Sequence, residues 1–198
     1  VTVPASPRPD HLAILRLITP GSRVLDLGCG DGTLLELLTR EKGVRGQGIE
    51  LDEDAVYACV AKGVSVIHGD IDGGLPDYPD RSFDYVILNK SLQEVRHVDG
   101  VMGEAVRVGK QAIIGFPNFA YLTARARLFL RGRTPVTSSL PHRWHDTPNL
   151  RFLSILDFLD YCAGKGYRVL EARYVGSRGE VRFLPNLRAL DAVVLISA

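Results

Sequence analysis

Along residues 23–117, apolar runs of strand length alternate with stretches whose apolar residues recur at helical spacing. "RVLDLG" (23–28) is an apolar run, and "TLLELLTREK" (33–42) carries its leucines at helical spacing. The alternation continues through "RGQGIELD" as a second strand and "EDAVYACVAKG" as a helix closed by Gly63. "VSVIHGD", "FDYVILNK" and "KQAIIGFP" follow as third, fourth and fifth strands, the last stopped by Pro117. Ahead of them, "DHLAILRLI" (10–18) predicts a short amphipathic helix with Asp10 as cap and Pro20-Gly21 as stop. Thr33 and Glu36 have the spacing of a capping box, and "SLQEVRHVDGVMGEAVRVG" predicts a mostly helical stretch broken at "HVDG". Near-continuous apolar strands are buried on both faces, which places a parallel sheet between two helical layers.

After Pro117 the rhythm changes. "NFAYLTARARLFLRGR" predicts a helix, "TPVTSSLPHRWHDTPNL" an irregular stretch, and "SILDFLDYCAGKG" another helix. "YRVLEARYVG" and "LDAVVLIS" are the last two strands. The expected fold is therefore α/β, a three-layer αβα Rossmann-like sheet of seven strands. It forms one domain over residues 10–198, behind a proline-bearing leader, residues 1–9, expected to be flexible.

Composition narrows the function. Lys and Arg number 24 against 23 Asp and Glu, so no global field holds a long polyanion, and nucleic acid is not an expected partner. The four arginines of "RARLFLRGR" point the same way, because Arg125, Arg127 and Arg131 do not share one tight face at about 100° per residue. They predict a solvated flank or a protein-contact surface. No apolar run reaches membrane-spanning length, and the first residues lack the apolar core of a signal peptide. Cys29, Cys59 and Cys162 are widely separated in apolar or Gly-rich contexts, as expected of buried reduced thiols in a cytoplasmic protein.

The chemistry gathers at strand ends. "GCGDG" joins the first strand to its helix at the carboxyl edge of the sheet, where open α/β sheets bind ligands. Its glycines let the backbone approach a ligand, and the helix start offers unpaired N–H groups. The spacing is G-x-G-x-G (Gly28, Gly30, Gly32), not the G-x-G-x-x-G of dinucleotide enzymes. Glu50 closes the second strand, where a carboxylate can accept from both hydroxyls of a ribose. Asp70 closes the third, in reach of a base edge. Asp26 is expected to pin the turn by accepting from its N–H groups, with ligand contact as the alternative. Asp31 is expected to stabilise the helix start or to touch the ligand, and Asn89 to contact the ligand or form a turn.

With these residues the first 117 positions resemble the class I S-adenosylmethionine-dependent methyltransferases. The resemblance implies that "VLDLGCGDG" contacts the methionine part of the cofactor, that Glu50 holds the ribose, and that Asp70 faces adenine. Leu51 and Ile71 are implied beside them, with S-adenosyl-L-methionine or S-adenosyl-L-homocysteine as ligand and an antiparallel last strand. Over nearly the whole chain, "GVRGQGIELDEDAV", "RSFDYVILNKSLQEV", "IIGFPNFAYLTARARLFLRGRTPVT" and "WHDTPNLRFLSILDF" resemble the methionine biosynthesis protein W (MetW) family. That resemblance implies a role in making methionine beside homoserine O-acyltransferase.

Two functions stay open on this reading: methyl transfer to a small acceptor, and a non-catalytic, cofactor-binding accessory subunit of the acyltransferase. For the first, the catalytic candidates are Tyr121, His142 and His145. "NKSLQEV" is not the N/D-P-P-Y/F motif of adenine methylation and lacks the Pro-Cys pair of cytosine methylation. "HRWHDTPN" offers His142, His145 and Asp146, yet without the helical scaffold usual for such ligands, so no metal is expected. A lid, an acceptor wall or a partner-docking loop is the expectation for that segment.

Overall fold

A computed structural model describes residues 7–198, so residues 1–6 of the expected leader lie outside the described residues. The strands are β1 (Arg23–Leu27), β2 (Arg45–Glu50), β3 (Val66–His68), β4 (Phe83–Asn89), β5 (Gly109–Pro117), β6 (Arg168–Gly176), β7 (Gly179–Glu180) and β8 (Asp191–Ser197). The helices are α1 (Pro9–Leu17), α2 (Thr33–Lys42), α3 (Glu53–Ala61), α4 (Val98–Val108), α5 (Leu122–Arg131), α6 (Ile155–Lys165) and α7 (Pro185–Arg188). One sheet runs in the order β3-β2-β1-β4-β5-β8-β6-β7. β1 to β5 are mutually parallel, and β8 runs antiparallel between β5 and β6.

Period-two alternation explains why the central strands read as unbroken apolar runs. In β4, Val86 and Leu88 point into one core with Met102 and Ala105 of α4 and Phe158 of α6. Ile87, between them, points to the other core with Ile14 of α1, Ile18 at its C-cap, and Leu35 and Leu38 of α2. Each fully buried side chain of this size contributes about 1.5–3 kcal/mol relative to exposure. The sheet is therefore held from both faces, and its carboxyl edge is left to loops.

Seven strands correspond to the expected ones. The eighth, β7, is a two-residue hairpin partner of β6 at the sheet edge, too short to register as a hydrophobic pattern. α7 is a single short helix of four residues, likewise below that threshold.

Local chemistry corrects three expectations. Pro9 opens α1, so Asp10 lies inside the first turn and makes no cap; its carboxylate bonds Arg8 and Asn89 instead. Gly32, in the left-handed region, occupies the N-cap of α2, so Thr33 is the first helical residue and donates to Asp31. The expected Thr33–Glu36 box is absent for that reason. Residues 91–97 are turns, and helix begins only at Val98. A full capping box does form at α6, where Ser154 accepts from the Asp157 N–H and Asp157 from the Ser154 N–H.

Candidate functional site

The chain leaves β1, fills one side of the sheet with β2 and β3, then returns to β4 on the other side of β1. That reversal opens a crevice at the carboxyl ends of β1 and β4. The turn after β1 sits there, with Gly28, Gly30 and Gly32 all at positive φ (74°, 55° and 75°). A side chain at Gly28 would press within 2.7 Å of the Ser91 Cβ, whereas nothing lies within 4 Å of the Gly30 position. Gly30 therefore faces open space as the floor of a cradle.

Glu50 ties this turn to the next loop. Its Oε2 accepts from the Gly30 N–H at 2.7 Å, and its Oε1 accepts from the N–H groups of Leu51 and Asp52 at 2.8 and 3.0 Å. Ser91 donates to the Leu27 carbonyl at 2.7 Å, locking the end of β4 to the end of β1.

Between them lies a cavity of about 370 Å³, within the range for small-molecule sites. Of the expected cofactor residues, Gly28, Gly30, Glu50, Leu51, Asp70 and Ile71 line it. Asp52, Asp72, Lys90, Ser91 and Glu94 line it as well and were not anticipated individually. The lining thus presents five carboxylates (Glu50, Asp52, Asp70, Asp72, Glu94) against the single ammonium of Lys90. Such a wall repels a pyrophosphate and attracts a cation. A depression of about 700 Å³ lies at the opposite edge, around Ser22, Asp84 and Lys110, away from the strand carboxyl ends.

Several of these carboxylates are already oriented. Asp70 accepts from the Asp72 N–H, and Asp72 from the N–H groups of Arg96 and His97. Partial desolvation opposes ionisation of Asp72, but those two donors outweigh it and hold its carboxyl below the usual range. Glu94 is shifted the other way, upward, by burial and then by the charge of Glu50, with His142 opposing.

Asp26 sits beneath the cradle at 2% exposure, and its Oδ1 has no hydrogen-bond partner. Burial, reinforced by the Glu50 charge, pushes its carboxyl up to about 7. The turn's N–H groups go elsewhere: Gly28 and Cys29 donate to the Ile49 carbonyl, and Gly30 to Glu50. Asp26 does not pin the turn, which corrects the structural expectation for it.

Sequence comparison decides the lineage. The family profile "Methionine biosynthesis protein MetW" matches residues 8–196. The chain belongs to the MetW family. It is 38% identical over 198 residues to the bifunctional methionine biosynthesis protein MetXA/MetW of Rhodopirellula baltica, covering 93% of this chain and 32% of that one. The MetW-family chain thus spans about a third of that relative's length. Among solved structures it resembles an S-adenosylmethionine-dependent methyltransferase of Archaeoglobus fulgidus (TM-score 0.70, 16% identity, 96% and 93% of the two chains). It also resembles the [4+2]-cyclase SpnF (TM-score 0.66, 21% identity, 95% and 79%). The fold is that of the Rossmann-like methyltransferases, and one neighbour is named for a cyclase, so fold alone does not assign the reaction.

The remaining expected residues of the MetW-family chain fall around the cavity rather than in its wall. Asp31 is exposed and holds Lys62 at 2.6 Å. Partial burial opposes its ionisation, but Lys62 and Thr33 outweigh this and lower its carboxyl to about 2. Asn89 donates to Asp10 at 3.1 Å, within a charged knot where Lys90, at φ 65°, lies 3.1 Å from Asp191 and 3.8 Å from Asp10. Burial favours the neutral form of Asp10, yet Lys90 and Arg8 outweigh it and hold its carboxyl at about 2.

Tyr121 starts α5 and lines a separate groove of about 650 Å³ with Leu122 and Phe183. His142 and His145 are exposed in the segment after α5. His142 comes close enough to oppose the upward shift of Glu94, and His145 packs edge-on to Trp144 with ring centroids 5.5 Å apart. The same segment is tied to the turn after β4 through Leu150, whose N–H donates at 2.9 Å to the carbonyl of Gln93, the neighbour of the cavity-lining Glu94. Among the described residues no group of three or more His, Cys, Asp or Glu is placed to hold a metal ion. Nor is any helix among them long and apolar enough to cross a membrane.

Proposed function

We propose that the cavity binds S-adenosyl-L-methionine, or S-adenosyl-L-homocysteine, and that the protein serves methionine biosynthesis. The observation that carries this reading is the acidic lining above a buried, unpartnered Asp26. A ligand with an ammonium or sulfonium charge at one end and ribose hydroxyls at the other suits that set of acceptors. Asp26 would meet the cationic end, with the open backbone at Gly30 permitting close approach. Glu50 and Asp70 would take the nucleoside, flanked by Leu51 and Ile71. Asp31 and Asn89 would act from behind, through Lys62 and Asp10 respectively.

When bound, the cofactor supplies an activated methyl group on a sulfonium. For transfer, the protein's task is orientation and exclusion of water, so a dedicated acid or base is optional. On this reading the segment bearing His142 and His145 forms the acceptor side, and Tyr121 stands further off. A cytoplasmic location belongs to the same reading.

A second reading is favoured by the fused relative, whose name joins MetXA to MetW. In it the chain binds the cofactor as an accessory subunit of a homoserine O-acyltransferase and needs no acceptor. Calorimetric titration with S-adenosyl-L-methionine tests the shared claim: wild type binds and Glu50→Ala does not. Heat-silent wild type, confirmed by unchanged melting in excess ligand, overturns both readings.

A further inference from the structure

Most surface helices turn their apolar stripe toward the core; α5 turns its stripe out. Leu122, Ala126, Phe129 and Leu130 recur at i, i+4, i+7 and i+8, the spacing of one helical face. Phe129 is 89% exposed and Leu130 75%, while Ala124, on the other side of the helix, is the buried residue of α5. Leu122 also lines the 650 Å³ groove beside the β6–β7 hairpin, whose far wall carries the exposed Phe183. Leu122 therefore joins the apolar stripe to a groove of mixed apolar and basic lining. Contiguous exposed apolar area of this kind marks an interaction site.

Charge identifies what fits it. From residue 105 to residue 145 the chain contains no Asp or Glu; Arg125 and Arg127 lie to either side of the stripe on α5, and Arg131 and Arg133 follow at its carboxyl end. Around the groove stand Arg178, Arg182 and Arg188, and its one carboxylate, Glu180, already pairs with Arg16 and Arg173. A partner must bring apolar side chains for the stripe and carboxylates for its rim. Nucleic acid lacks the first, and a second copy of this chain would oppose arginine to arginine.

We infer that the outward face of α5, with the adjoining groove, docks the MetXA-type acyltransferase subunit through an apolar ridge rimmed by carboxylates. This rests on the accessory-subunit reading above and adds the surface to it. The fused relative supplies the reason for this occupant, since there the two proteins share one chain.

The test measures the affinity of the full chain for the MetXA-type protein encoded by the same genome. Phe129→Glu and Leu122→Glu are compared with wild type and with Tyr57→Glu, a substitution at a 68%-exposed site on α3. Either stripe variant is expected to weaken the complex at least tenfold while Tyr57→Glu leaves it unchanged, all variants melting at the wild-type temperature. A wild-type complex that both stripe variants retain at full affinity overturns the assigned surface and leaves the accessory reading standing. Stripe variants that dissolve a homodimer but spare the mixed complex also overturn it. If wild type forms no complex at all, the accessory reading fails and this inference with it.

Discussion

Replacing Asp26 by Asn removes the most strained charge in the site and separates its cost in folding from its use in binding. In the folded protein the carboxyl titrates at about 7, against an ordinary value of 3.8, because burial and the Glu50 charge disfavour ionisation. The unfolded chain loses the proton first, so the folded state binds more protons between those values, and stability falls as pH rises through that window. Below pH 3.8 the penalty vanishes, and above 7 it is constant. Between pH 5 and pH 8 a slope that starts at about 1.36 kcal/mol per pH unit and fades through pH 7 costs wild type about 3 kcal/mol that Asp26→Asn does not lose.

Thermal melts of the two proteins at pH 5 and pH 8 read this difference, since every titrating group not coupled to Asp26 cancels between them. For a chain of this size about 3 kcal/mol corresponds to a relative shift of roughly 6–12 °C. Binding is expected to move oppositely. A cation beside Asp26 restores ionisation, so wild type at pH 6 releases about one proton on binding S-adenosyl-L-methionine, seen by calorimetry in buffers of different ionisation enthalpy. Asp26→Asn releases none and binds about tenfold or more weakly, having lost a charged partner. Equal pH dependence of melting in the two proteins would refute the assignment of a strained carboxylate, and equal proton release on binding would refute its proposed meeting with the ligand.

Three other outcomes follow from the same geometry. Glu50→Ala strips the acceptor from the N–H groups of Gly30, Leu51 and Asp52, and denaturant titration is expected to show a loss of about 1–3 kcal/mol beyond the loss of ligand. Phe116→Ala empties a fully buried site packed on Phe158 at 4.9 Å, and the same titration should read about 3–5 kcal/mol. The buried Cys29 thiol, raised well above its ordinary value by burial and by Asp26, should resist alkylation in native buffer and react readily in denaturant, which mass spectrometry of trapped samples distinguishes.

The sheet and its ligand-binding edge were legible from pattern because both depend on local regularities. Apolar runs such as "YVILN" declare a two-sided strand wherever they stand, and a turn with three glycines after one of them declares backbone close to a ligand. Short elements escaped for the same reason: β7 and α7 span too few residues for a period to show. The failed caps at Asp10 and Thr33 are shifts of two residues and one residue at helix starts. There Pro9 and Gly32 outrank the side chain that spacing alone favoured.

What the chain alone determined was the order of strands and helices, the glycine turn, and the carboxylates at the ends of β2 and β3. Each follows from dihedral preferences and hydrophobic period within a few neighbouring residues. Only the tertiary structure decided which way those groups face. Packing β4 beside β1 brings Lys90, Ser91 and Glu94 to the cavity from some 60 residues away, and burial turns Asp26 from an expected turn-former into an unpaired acid. It also turned the stripe of α5 outward, since helical spacing fixes which residues share a face while only packing chooses whether that face meets the core or a partner.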